Sequence, residues 1–534
     1  MSYGYSHRFL LDASGNRIAS SQASMETAVR HYRAGDLAEA ELACRQLVAN
    51  DAQHFDGLHL LGVVCLDQGK YAEAITFLAR AERQRSDDSR IQYNLGSAHL
   101  GLKQHPEAEQ HLRKALALRP GDSAVLNNLG NVLADTARHA EAIGCYRQVL
   151  AVYADHAPAH YNLGRSLAAL DQLDEAIGHF RAAIGDGSAD PERLADVYAS
   201  LAEALVESGR FDEALAACRE MARYRPAVAE WNESLALLLL GRYAEGWRKY
   251  ESRWQVPEHD RPRRDARIPD LAEVVGKRVL LTCEQGHGDL FQFARYAPLL
   301  ARRGAQVALQ VYVEQKALMQ TLEGVETVVA REELEPVADI VTPMLSMPLV
   351  FGTEAGTIPA EVPYLHAPAA SLAAWHERLG PRTKPRIGLA WWGSQHIPKR
   401  SVPIEALLPV LSLPDVEFHG LQKELPATQS DWLTAHPLVI DHCDDLDTYA
   451  DTAALIALSD LVITIDTSVA HLAGALGKPV WIMLPYSADW RWLLDRSDSP
   501  WYPTARLFRQ HRRGVWDDVV ADVAAALAAW RDSD

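Results

Sequence analysis

Tryptophan is missing from the front of this 534-residue chain: all 13 lie at or after Trp231. That change in composition marks where the front part begins docking onto something else. Cysteine is also scarce, with six residues at positions 44, 65, 145, 218, 283 and 443 and no CxxC pair. That excludes a disulfide framework and reads as reduced thiols in a cytoplasmic protein. The longest aliphatic run, Leu235 to Leu240, is far below the ~20 residues a membrane helix needs, and the opening MSYGYSHRFLLDASGNR has no signal-peptide core, so neither membrane insertion nor export is expected. Positive charge is in deficit, 53 Lys and Arg against 71 Asp and Glu, and the net charge of -18 argues against a nucleic-acid partner. HExxH, GxSxG and Gly-x4-Gly-Lys-Ser/Thr are all absent, which removes three common hydrolase and phosphate-loop readings.

What is present is an internal repeat. Glycine recurs at 62, 96, 130 and 164 and alanine at 74, 108, 142 and 176, both ladders advancing by 34 residues. A two-helix unit of that period cannot bury its apolar face alone and must stack on its neighbours. Leu61-Gly62, Leu95-Gly96, Leu129-Gly130 and Leu163-Gly164 fall in first helices, and the alanines in second helices, where small residues let helices approach. A weaker unit precedes them around Gly35 and Ala40, and two follow in shifted phase after the loop at 185–190. The pattern resembles tetratricopeptide repeats. We read residues 1–24 as a tail, 25–254 as an α-solenoid of such repeats and 255–276 as a linker.

A second ladder lies inside the first. Asn94, Asn128 and Asn162 each precede a Leu-Gly pair, and Asn232 takes the equivalent place in the last unit. Side-chain amides at one helix position can bond the backbone of an extended protein or peptide without reading its sequence. They can equally brace neighbouring repeats.

Behind residue 277 the period changes to strand, turn and helix, as in doubly wound α/β folds. Strands are expected at 278–283, 306–311, 325–330 and 339–342, then at 386–391, 416–421, 438–441, 461–465 and 480–484. We divide this region into two Rossmann-like domains, 277–380 and 381–534, facing a cleft at their carboxyl strand ends. A continuous helix is expected over 290–302.

Three loops could carry chemistry. Gly286-His287-Gly288-Asp289 puts an acid in a glycine-flanked turn at a helix start, where it is either a cap, a cleft carboxylate, or both. Asp466-Thr467-Ser468-Val469-Ala470-His471 opens a short helix whose N–H groups suit a diphosphate, with His471 either facing that ligand or structural. Lys399-Arg400 is a cation pair that could neutralise a departing phosphate without a metal, or a solvated basic pair. The acidic triplet of the DxD kind worth testing, Asp445-Leu446-Asp447, stands just before a helix, where acids stabilise the N-terminus, so no metal is expected.

Gly286-x-Gly288-Asp289 and Asp466-Thr467-Ser468-x-Ala470-His471-Leu472-Ala473-x-Ala475-Leu476-Gly477-x-Pro479 resemble the heptosyltransferase-like branch of two-domain (GT-B) glycosyltransferases. Fusion to tetratricopeptide repeats is similar to bacterial relatives of protein O-linked N-acetylglucosamine transferases. The resemblance implies Asp289 as general base, with Gly286, Gly288, Lys399, Arg400, Asp466, Thr467, Ser468 and His471 around a nucleotide-sugar donor. It implies no cofactor beyond that substrate. It leaves Asp489-Trp-Arg-Trp492 without a role. The expectation is a metal-independent inverting glycosyltransferase acting on a protein or peptide held by the repeats. Its rivals are a repeat scaffold with an inactive rear domain and a sugar-nucleotide epimerase.

Overall fold

The computed structural model describes residues 17–185, 190–256, 265–394 and 400–532. Two compact units divide between Arg210 and Phe211. In the first, helices pair as α1 (Arg17–Arg33) with α2 (Leu37–Asn50), α3 (Phe55–Asp67) with α4 (Tyr71–Glu82), and α5 (Ser89–Gly101) with α6 (His105–Leu118). The pairs α7 (Ser123–Asp135) with α8 (His139–Val152) and α9 (Ala157–Ala169) with α10 (Leu173–Ile184) follow, then α11 (Pro191–Glu207).

The glycine ladder has a steric cause. A Cβ on Gly62 would lie 2.5 Å from Leu78, on Gly96 2.6 Å from Leu112, on Gly130 2.5 Å from Tyr146 and on Gly164 2.7 Å from Phe180. First and second helices of each pair therefore touch backbone to side chain, and a methyl group there would force them apart. The alanine ladder at 74, 108, 142 and 176 is wholly buried in the same contacts. Asp36, Asp88 and Asp122 cap α2, α5 and α7 with their carboxylates, and the Nδ1 atoms of His54 and His156 accept the equivalent N–H bonds at α3 and α9. Each pair turns through one left-handed residue, Gly35, Gly69, Lys103, Ala137 and Asp171 in succession.

The second unit begins with α12 (Phe211–Met221), α13 (Pro226–Leu239) and α14 (Tyr243–Tyr250). Two parallel sheets follow. The first orders β1 (Arg278–Thr282), β2 (Gln306–Val311), β3 (Val325–Ala330) and β4 (Ile340–Pro343) as β3-β2-β1-β4. The second orders β5 (Arg386–Ala390), β6 (Glu417–Gly420), β7 (Leu461–Ile465), β8 (Val480–Leu484) and β9 (Ala505–Arg509) as β6-β5-β7-β8-β9. β5, β7 and β8 are buried at every residue, as central parallel strands covered on both faces are. Strand order reverses beside β1 and beside β5, which puts a crevice at the carboxyl ends of those strands.

Three sequence expectations change. The segment 438–441 is not a strand: only Ile440 makes a single bridge, to His419. β9 was not anticipated. The helix expected over 290–302 is two, His287–Phe293 and Tyr296–Arg302, broken beside Arg295, whose buried guanidinium donates to the carbonyls of Gln292, Pro359 and Trp501.

The aromatic-rich composition after Trp231 has a place in this unit. Trp247 of α14 packs edge-on against Trp490 at 5.2 Å and Phe293 at 6.2 Å. Nearby, buried Arg253 bonds Glu284, just after β1, at 2.8 Å and Ser346 at 2.9 Å. Among the described residues no helix is long and apolar enough to cross a membrane, and all six cysteines are unpaired.

Candidate functional site

A cavity of about 1010 Å³ lies in the second unit, lined by the loops after β1, β5, β6, β7 and β8. After β1 the chain turns left-handed at Gln285 (φ 55°), whose carbonyl accepts from the Tyr312 hydroxyl at 2.5 Å. The helix His287–Phe293 then starts. Asp289, in its first turn, accepts the Gly286 N–H through one oxygen at 3.0 Å and pairs with Arg491 through the other. It is therefore both cap and cavity carboxylate. Its side chain keeps only 15% of its exposure, and burial raises its affinity for a proton above the ordinary carboxyl range, opposed by Arg491 and the Gly286 N–H. Gly288 is the contact point with the next loop: a Cβ there would sit 2.8 Å from His471 and 3.4 Å from the Ser468 Cα.

β7 delivers Asp466 to the cavity, and the helix Ser468–Ala475 begins just beyond Thr467. The Thr467 hydroxyl makes no capping bond to that helix and lies 3.5 Å from the Thr464 hydroxyl. The first-turn N–H groups thus have no side-chain cap and, with the positive end of the helix dipole, suit an anion. Ser468 accepts from the Tyr449 hydroxyl at 3.1 Å. Burial, with Asp489 adding repulsion, pushes the Asp466 carboxyl up to about 6. His471 is buried, stacked on Trp492 at 5.3 Å with its Nδ1 3.0 Å from the Tyr502 hydroxyl. Burial and then the cations Arg491, Arg295 and Arg400 hold its imidazole neutral.

From the loop after β5, Arg400 lines the same cavity, and its Nε is buried with no hydrogen-bond partner among the described residues. A Cβ on Gly393 would lie 2.7 Å from that Nε, so Gly393 sits tight against the guanidinium. Lys399 lies outside the described residues. Gln422, after β6, fixes the start of the loop by accepting the Trp391 and Trp392 N–H groups, both at 2.9 Å.

Sequence reasoning missed Arg491, Asp489, Gln422 and Tyr449. The first two sit in Asp489-Trp-Arg-Trp492, an arginine between two tryptophans, and that unusual composition was the available signal. Against the burial that disfavours its charge, Asp489 and Asp289 hold Arg491 firmly protonated. Asp445, considered as a cap, instead pairs with Arg378, while the cap of the helix Tyr449–Leu458 is Thr448 with Asp451. Asp447 is 86% exposed with Lys423 at 4.0 Å.

The asparagine ladder lies in the first unit, apart from Asn232, which is half-buried in α13 of the second. Asn94 Nδ2 meets His59 Nε2 at 2.9 Å, Asn128 donates to Ser97 at 3.0 Å, and Asn162 donates to Asn131 at 2.9 Å. Each amide N–H group thus reaches into the preceding repeat.

Comparison with known proteins bears mainly on the helical part. Tetratricopeptide-repeat models match residues 53–121, 87–155, 127–191 and 200–255. Protein FlbA of Caulobacter vibrioides (strain ATCC 19089 / CIP 103742 / CB 15) is 32% identical over 372 residues, 62% of this chain. The chain spans 61% of that relative's length. Among solved structures, a MamA protein is 23% identical over 31% of this chain and 90% of its own, with a TM-score of 0.29. Pseudomonas aeruginosa pilF is 19% identical over 39% of this chain and 94% of its own, with a TM-score of 0.35. The chain thus carries a tetratricopeptide-repeat solenoid, followed by a region of parallel α/β sheets.

Proposed function

We propose that the α/β region is a two-domain (GT-B) glycosyltransferase, metal-independent and inverting, that moves a sugar from a nucleotide-sugar to a hydroxyl of a protein or peptide bound by the repeats. The observation that carries this reading is the meeting in one cavity of a largely buried carboxylate, Asp289, with a helix start at Ser468 and the cation Arg400, whose Nε has no partner among the described residues. Asp289 takes the proton from the acceptor hydroxyl as its oxygen attacks the anomeric carbon. The bond to phosphate breaks on the opposite face. Arg400, with Lys399 beside it in sequence, and the N–H groups after Thr467 stabilise the charge that develops on the leaving phosphate. Gly286 and Gly288 allow close approach, and Asp466 binds donor hydroxyls. Asn94, Asn128, Asn162 and Asn232 would meet the acceptor through their amide oxygens.

One observation favours the rival scaffold reading: both oxygens of Asp289 are already engaged. Thermal-shift titration of the full chain with nucleoside phosphates and nucleotide-sugars decides between them. A ligand at 100 times its dissociation constant adds about 2.7 kcal/mol. The shift should survive EDTA and collapse in Arg400→Ala. Silence with every nucleotide would leave the scaffold.

A further inference from the structure

Arg491 is joined to the helix His287–Phe293 at two places. Its Nη2 pairs with Asp289, and its Nε donates to Gln292, one turn further along, at 2.7 Å. Its Nη1 and its backbone N–H both donate to Asp489 Oδ1, at 2.8 and 3.0 Å, and its guanidinium lies 4.3 Å from the centre of the Trp490 ring. Trp490 is in turn wedged against Trp247 of α14 and, at 6.3 Å, Trp501. Every nitrogen of the fork is therefore directed, and the planar group has one seat.

We infer that Arg491 is the positioning residue for the Asp289 base, an assignment that rests on the transferase reading of the same cavity. The Gly286 N–H takes one lone pair of Asp289 and Arg491 another, and a carboxylate has about four such sites. Asp289 lines the cavity, and these two bonds hold its carboxylate in one orientation there. Burial drives Asp289 toward its protonated form, and Arg491 opposes that. Around Asp289 stand Arg491 and Asp489 from the turn after β8, the neutral His471 across Gly288, and Tyr250 of α14. Of these Arg491 is the group that most favours the carboxylate. An opposite charge at this range lowers a carboxyl's titration by about 1 to 3 units, so its loss should raise the midpoint by that much.

The test separates charge from orientation. Full-length protein labelled at aspartate Cγ, with the Asp289→Asn spectrum subtracted, reports the Asp289 midpoint by NMR. In Arg491→Gln that midpoint should rise by about 1 to 3 pH units, and the acid limb of sugar transfer should move with it. Arg491→Lys keeps the charge and loses the fork. Its midpoint should stay near wild type while transfer falls by about tenfold or more at unchanged nucleotide affinity. If Arg491→Gln does not fold, the double variant Arg491→Gln/Asp489→Asn removes both members of that pair and should still show the upward shift. An unmoved midpoint without the cation, or wild-type transfer by Arg491→Lys, overturns the assignment. The predicted midpoint shift in a protein that transfers no sugar from any nucleotide leaves the coupling standing and refutes the transferase reading alone.

Discussion

Replacing Asn94, Asn128 and Asn162 together with alanine removes one hydrogen bond of 3.0 Å or less at each of three successive repeat junctions. A net bond of this kind is worth about 0.5 to 1.5 kcal/mol, so the triple variant should lose roughly 1.5 to 4.5 kcal/mol. The three losses should not be equal. His59, the partner of Asn94, is 3% exposed, and burial lowers its imidazole to about 4, so that bond lies in the driest surroundings. Ser97 retains a bond to the Tyr93 carbonyl and Asn131 keeps the Tyr146 hydroxyl, so Asn128→Ala and Asn162→Ala should fall at the low end. In a stacked array each loss weakens a nearest-neighbour interface and should broaden as well as lower the transition. Helical circular dichroism on heating measures this, with the single variants as controls. If the ladder also meets the acceptor, the acceptor KM rises while nucleotide binding is spared. An unchanged melt in the triple variant would refute the bracing derived from these distances.

Gly288→Ala should abolish transfer and cost about 1 to 3 kcal/mol, because the new methyl meets His471 at 2.8 Å; a variant as stable and active as wild type would deny the contact. Ala137 occupies the left-handed turn that Gly35 and Gly69 occupy in earlier repeats, so Ala137→Gly should raise stability by up to about 1 kcal/mol in a denaturant titration. Asp466, raised in the folded protein, binds its proton more tightly than when unfolded, so its contribution to stability is complete below the ordinary carboxyl range and lost as pH rises through about 6. Nucleotide phosphates should accordingly bind more tightly as pH falls through that value, and Asp466→Asn should flatten the dependence, as calorimetry at several pH values will show.

The repeats were legible because their cause is local and recurs: a glycine facing a large side chain 16 residues later leaves a periodic mark. β2, β3, β7 and β8 were legible to the residue as short runs rich in valine, leucine and isoleucine between turns. β9 was not, since Ala505-Arg-Leu-Phe-Arg509 mixes buried and charged positions, and 438–441 misled because its apolar Leu438 and Ile440 are exposed and pairing with β6 goes no further than the single bridge at Ile440. Asp289, Arg400 and Asp466 could be picked from their loops, which follow strand ends. Arg491 could not. Its partner Asp289 lies 202 positions away, and nothing local in an arginine between tryptophans says which acid it will meet.

Whether this cavity transfers sugar with Asp289 as its base is decided by release of nucleotide from nucleotide-sugars, followed by chromatography with the wild-type chain and with Asp289→Asn. The variant keeps a cap-compatible shape and loses the proton acceptor, so it should bind the same donor with similar affinity and turn it over about 10² to 10⁴ times more slowly. Equal turnover by the two proteins, or no turnover of any nucleotide-sugar by the wild type in the presence of cell-extract acceptors, would contradict the account.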